Sequence, residues 1–207
     1  MTDIPITRRE LSAVRQDEIR AAVRNATGIP FGDFPSRLAE LSDAEAFLAF
    51  LSDPDIHGPI YNLPRPLTVS SVRAFIEAKR LTREDGTGLL FLRFDEAGDV
   101  VGYSEFDIWP EWGAGDLGGA LRKDQQGKRA GVDGAKQSFT WMFDGLKLDL
   151  IVGTGALNNI RTARMLDGLG FARKGEITNL RPDGSERRSI VWEVTRDEWF
   201  SKHPLQD

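Results

Sequence analysis

The stretch Gln126-Gly127-Lys128-Arg129-Ala130-Gly131 has the make-up of an anion cradle. A loop of small residues that opens into a helix brings backbone N–H groups close to a phosphate, and the helix dipole favours negative charge there. The competing reading is an ordinary turn before a helix. The chain has no cysteine and two isolated histidines, His57 and His203. This excludes disulfides, thiolate metal sites and a cysteine nucleophile, and no metal is expected. Chemistry falls to carboxylates, hydroxyls, amides or a bound cofactor. Glu105 and Asp107 share one face of a strand by the two-residue period, with Asp116 on the strand that follows. Asn159 and Thr162 stand one helical turn apart; spacing alone also allows a plain N-cap and a solvated helix residue.

Elements that would hold these groups are legible in the pattern. Residues 10–24 place Leu11, Val14, Ile19, Ala22 and Val23 among charges as an amphipathic helix, ended by Gly28, Pro30 and Gly32. Ser42-Asp43-Ala44-Glu45 reads as a capping box with Ser42 as N-cap, leading a short helix through Phe47, Leu48 and Leu51. A Pro-rich break follows at 54–66. Thr68 to Leu81 then carries Val72, Phe75, Ile76 and Lys79 at helical spacing. Leu89–Phe94 and Val100–Ile108, around a turn at 95–99, read as an antiparallel hairpin. A third strand near 115–122 enters the glycine loop. Val132, Ala135, Phe139, Met142, Phe143 and Leu146 then line one helix face. Leu148–Gly153 suits a buried strand, and Asn158-Asn159 opens a helix that Gly170 stops. Segments 176–180 and 188–195 close the chain as a hairpin.

At 207 residues, 40% hydrophobic, the chain fits one compact domain with a full core. No apolar run approaches the ~20 residues of a membrane span, and the start lacks the regions of a signal peptide, so the expectation is a cytoplasmic protein without membrane contact. A net charge of −5 gives no global attraction to nucleic acid. The five tryptophans read as core or rim aromatics, and Arg187-Arg188 as a solvated hairpin edge. His57, in the Pro-rich break, is a lesser candidate for substrate contact.

A strand entering Gln126–Gly131, a helix, a strand, then Asn159-Ile160-Arg161-Thr162 and Leu169-Gly170-Phe171 resembles the GNAT superfamily of N-acetyltransferases. The similarity is greatest to the branch with the ribosomal-protein N-terminal acetyltransferases, where Asp116-Leu117-Gly118 and the terminal Asp197-Glu198-Trp199 also have counterparts. The resemblance implies an α+β fold: a mixed central sheet, mostly antiparallel with a splayed parallel pair, flanked by helices. Residues 1–34 would be an N-terminal helical extension and 35–207 the acetyltransferase domain. It further implies acetyl-CoA as acyl donor and an amine acceptor, with a protein N-terminus among the candidates.

By the same resemblance Gln126, Gly127, Lys128, Arg129, Ala130 and Gly131 hold the pyrophosphate, with Arg129 where glycine is usual. Asn159 and Thr162 meet the pantetheine arm, the Leu121 backbone pairs with it, and Arg164 with Arg161 lies near the adenosine 3′-phosphate. Candidate bases are Asp116, Glu105 and Asp107. The tyrosine that often protonates the leaving thiolate is replaced by Leu166, which leaves Thr162, a water or the thiol itself. The alternatives are a non-catalytic CoA-binding or regulatory module, and a binding domain unrelated to CoA. A homodimer is a further expectation.

Overall fold

The apolar runs of the first hairpin become the centre of the molecule. In the computed structural model, which describes residues 4–30, 35–125, 130–181 and 183–204, they form β2 (Gly88–Phe94) and β3 (Val100–Trp109). Five strands join them: β1 (Ser36–Leu38), β4 (Ala114–Leu121), β5 (Leu150–Ala156), β6 (Ala172–Leu180) and β7 (Glu186–Thr195). Their order across the sheet is β1-β2-β3-β4-β5-β7-β6. All neighbours are antiparallel except β4 and β5, which gives the mixed sheet with one parallel pair.

The pleat sends alternate residues to two faces. One face carries Leu89, Phe91, Phe106, Ile108, Ile151, Trp192 and Val194. It packs against α1 (Ala13–Asn25), α5 (Ala130–Asp144), α6 (Ile160–Gly168) and α7 (Arg196–Lys202). The stripe on α5 buries Phe139, Met142 and Phe143, continued by Leu146 just past its end, whereas Val132 in its first turn is exposed. The other face carries Leu90, Leu92 and Tyr103 beneath α2 (Ala44–Leu51), α3 (Pro54–His57) and α4 (Val69–Asp85). Fully burying a large apolar side chain contributes about 1.5–3 kcal/mol, so the two cores clamp the sheet from both sides. Among the described residues no helix is long and apolar enough to cross a membrane.

α1 contributes Ile19 and Val23, both fully buried, to the larger core. Ile4 packs on Val152 and Val191, and the buried Glu193 carboxylate accepts hydrogen bonds from the Ile6 and Thr7 N–H groups at 2.6 and 3.0 Å.

Several local features differ from the sequence reading. Ser42 is not an N-cap: Leu41–Asp43 form a 3₁₀ turn, because Arg37 holds Asp43 through two 2.7 Å bonds while Glu40 N–H donates to that carboxylate. The Pro-rich break contains α3, started by Asp53, whose side chain accepts from Asp55 N–H. α4 runs a turn further than expected, from its Thr68 cap to Gly86, which takes the left-handed conformation at φ 72°. β1 and α7 were not anticipated. A 3₁₀ turn, Lys123–Gln125, separates β4 from the glycine loop.

Candidate active site

The parallel pairing of β4 with β5 lasts three residues: Ala114, Gly115 and Asp116 lie beside Leu150, Ile151 and Val152. Past that point β4 follows β3 to Leu121 and β5 follows β7 to Ala156. Leu117–Leu121 and Gly153–Ala156 therefore part as the arms of a fork, whose inner edges carry no strand-to-strand pairing and can offer backbone groups to a ligand. Gly118 and Gly119 are exposed on one arm. A side chain at Gly119 has no room, since its Cβ would stand 2.4 Å from the Tyr103 carbonyl oxygen.

Asp116 is the last paired residue, at the base of the fork. It lies opposite Asp107, and Glu105 lies opposite Gly118, so all three carboxylates look out from the face that carries α2 and α4. Asp116 keeps a little solvent access, with protein atoms on nearly every side. Burial first, then the negative charges of Asp107 and Glu105, push its pKa up to about 7, against the Leu117 N–H that it accepts and the Arg187 charge. The Leu117 hydrogen bond is 2.9 Å long. A carboxyl poised at neutral pH can take a proton from an amine and give it up again.

Glu105 is buried and already partnered. Lys79 from α4 places its Nζ 2.5 Å from Glu105 Oε1 and 2.7 Å from Asp107 Oδ1, and Asn62 Nδ2 donates to Glu105 Oε2 at 2.9 Å. Burial lowers the Lys79 pKa, yet the two carboxylates outweigh it and hold the ammonium charged. Burial raises the Glu105 pKa, with Lys79 opposing.

The same loop delivers Tyr61. Arg187 of β7 lies over its ring at 4.3 Å, donates from Nη1 to the Pro59 carbonyl at 3.2 Å and from Nε to Ser189 Oγ at 3.0 Å. Burial, then Asp116 and Asp107, raises the Tyr61 pKa and keeps the phenol neutral. Leu63 is fully buried and anchors the loop, and His57 Nε2 lies 3.2 Å from the Pro64 carbonyl. His57 thus ties the end of α3 to the loop that follows it.

The other described candidates lie on the opposite face. Asn159 caps α6, its Oδ1 accepting from Thr162 N–H at 3.1 Å. Thr162 turns its methyl towards β5, where a Cβ on Gly155 would meet it at 3.1 Å. Leu166 is buried against Gly153, and Arg164 is exposed. Leu121 ends β4 opposite Gly102. Ala130 and Gly131 open α5, while Gln126, Gly127, Lys128 and Arg129 lie outside the described residues. The carboxylates and the α5–α6 residues thus sit on opposite faces, with the fork between them.

Sequence reasoning missed Tyr61, Asn62 and Lys79, and it misplaced Arg187, which is half-buried rather than solvated. Lys79 had a readable signal: a lysine in register with Val72 and Ile76 on an apolar stripe requires a buried counter-charge.

Among the described residues, a mixed sheet with one parallel pair that forks, a helix opening beside the fork and another capped across it form the frame of an acyltransferase of the N-acetyltransferase class. The family model for the acetyltransferase (GNAT) domain matches residues 37–172, and the chain belongs to that family, whose acyl donor is acetyl-CoA.

Solved structures agree on the fold. The ribosomal-protein-S5-alanine acetyltransferase of Vibrio fischeri is 20% identical, with a TM-score of 0.68 over 84% of this chain and 99% of that one. Mycobacterium smegmatis RimJ, solved with CoA-disulfide, is 18% identical, with a TM-score of 0.66 over 83% and 86%. RimL, the ribosomal L7/L12 alpha-N-protein acetyltransferase solved with coenzyme A, is 18% identical, with a TM-score of 0.68 over 82% and 98%. No curated protein matches the chain in sequence.

Proposed function

We propose that this protein acetylates a primary amine that approaches from the carboxylate face, with Asp116 as the base and acetyl-CoA entering the fork from the α5–α6 face. The observation that carries this reading is a carboxyl at the base of the fork with a pKa of about 7. The strand edges that part after Asp116 and Val152, with Gly118 and Gly119 exposed, suit the amide-bearing arm of a CoA thioester. Leu121, Gln126–Gly131, Asn159, Thr162 and Arg164 are the residues assigned to hold it.

Asp116 removes the proton from the acceptor ammonium, leaving a neutral nucleophile in line with the thioester. Lys79 is held charged by two carboxylates and cannot serve as base. Glu105, engaged by Lys79 and Asn62, takes a positioning role in place of the catalytic one expected from sequence. Thr162 is assigned to the donor rather than to proton transfer. A protein N-terminus heads the acceptor classes to be tried, since relatives of this fold act on ribosomal proteins. A cytoplasmic homodimer goes with this reading, and light scattering of the purified protein checks the dimer.

Calorimetric titration with acetyl-CoA, with ATP and NAD as controls, followed by thiol release over N-terminal peptides, polyamines and aminoglycosides, tests the reading. Selective binding with turnover on at least one amine is expected. Binding without turnover on any amine would favour the non-catalytic CoA module, and no binding by folded protein would end both.

A further inference from the structure

The transfer needs a proton for the leaving sulfur, and the α6 position that often supplies it holds the buried Leu166. The other described hydroxyls near the fork are poorly placed. Tyr103 is buried between Phe47 and Phe50. Thr162 lies on the far face, with its methyl towards Gly155. Ser189 is buried and accepts from both Asn179 and Arg187. Thr154, half-buried on the β5 arm, is an aliphatic alcohol and a weaker acid than a phenol.

Tyr61 is held from two sides at the base of the fork. Its neighbour Asn62 donates to Glu105 Oε2, which lies 4.0 Å from where a side chain at Gly118 would begin. Arg187 covers the ring and bonds the Pro59 carbonyl of the same loop. The two tethers come from opposite sides of the fork, one on β3 and one on β7, which holds the loop and its ring on the face where Asp116 stands, within reach of that carboxylate's charge.

We propose that Tyr61 is the proton donor to the leaving sulfur, a catalytic residue supplied by the loop between α3 and α4 in place of one on α6. This inference rests on the acetyltransferase reading above. Asp116 takes one proton from the acceptor ammonium, and the amine nitrogen forms its bond to the acetyl carbon. As the carbon–sulfur bond breaks, its electron pair stays on sulfur, and Tyr61 protonates that sulfur to give the free thiol. The second nitrogen proton, released as the amide forms, returns to Tyr61. Asp116 gives its proton to water, so one proton is released per turnover. Burial and then the negative charges of Asp116 and Asp107 outweigh the opposing Arg187 charge and keep the donor protonated between cycles.

Tyr61→Phe tests this directly, because it keeps the ring under Arg187 and removes only the hydroxyl. The full chain is assayed on acetyl-CoA and on its selenium analogue, an acetyl selenoester whose selenolate leaves without a proton at neutral pH. The expected result is a kcat lower by about 10²-fold on the thioester, with most of the loss recovered on the selenoester. Calorimetric acetyl-CoA affinity should stay within about threefold of wild type. Thr154→Val, the comparator, should lose less than about tenfold. A Phe variant with kcat within about threefold of wild type on acetyl-CoA would overturn the assignment, and so would an equal loss on both donors. If the wild type turns over no amine, the underlying reading falls and takes this one with it.

Discussion

At Asp116, burial beside two other carboxylates moves a carboxyl from its ordinary value of 3.8 to about 7. Between those values the folded chain binds a proton that the unfolded chain has released, so this group lowers stability as pH rises through the window. Asp116→Asn removes that penalty while keeping a side-chain oxygen to accept from Leu117 N–H. The variant should therefore be more stable than wild type at pH 8, by on the order of 1–3 kcal/mol, and closest to it near pH 4. Urea denaturation at the two pH values checks both the sign and the trend. Asp116 was legible in the sequence as a candidate, because its position on the strand before the loop could be counted. Its raised pKa was not, since that depends on burial and on Asp107 and Glu105 arriving from the adjacent strand.

The carboxylate face of the site is built by a helix, a loop and a strand joined through buried charge. Lys79 on α4, Asn62 in the loop and Glu105 on β3 form one network, so Lys79→Ala leaves a buried carboxylate without its cation and should cost about 3–5 kcal/mol. The double variant Lys79→Met/Glu105→Leu should regain much of that loss while lowering turnover, because the loop that carries Tyr61 loses its tether. Thermal unfolding and thiol release measured on the same two samples separate the effects. On the β4 arm, Gly119→Ala drives a methyl into the Tyr103 carbonyl and should cost about 1–3 kcal/mol of backbone strain, with weaker acetyl-CoA binding as strand and fork shift. Long periodic segments such as α4, α5 and the β2–β3 hairpin could be read from sequence because their own apolar spacing specifies them. β1 is three residues long and held by its pairing with β2, Ser36–Leu38 lying opposite Phe91–Arg93, and α3 is a single turn started by Asp53 and Pro54. Such elements are fixed by tertiary contacts rather than by a repeating pattern.

Across the whole molecule, the sheet separates two chemistries and the fork joins them. The α5 and α6 residues assigned to the donor and the carboxylates beneath α4 share no face, so transfer is proposed to run through the gap where β4 leaves β5. The topology was readable from the order of elements and the resemblance, but the face assignment was not, because it turns on the register Asp107–Asp116 and Asp116–Val152. The N-terminal helix takes part in this frame: Ile19→Ala should cost about 2–5 kcal/mol and deletion of residues 1–26 should collapse cooperative unfolding, both read by circular dichroism. The most direct test of the account is the pH dependence of kcat/KM for the amine acceptor in wild type and Asp116→Asn. The account predicts a wild-type profile that rises to a plateau with a midpoint near pH 7, and a variant that binds acetyl-CoA normally but falls by about 10²–10⁴-fold without that midpoint. A variant that keeps wild-type turnover and the same midpoint would contradict it.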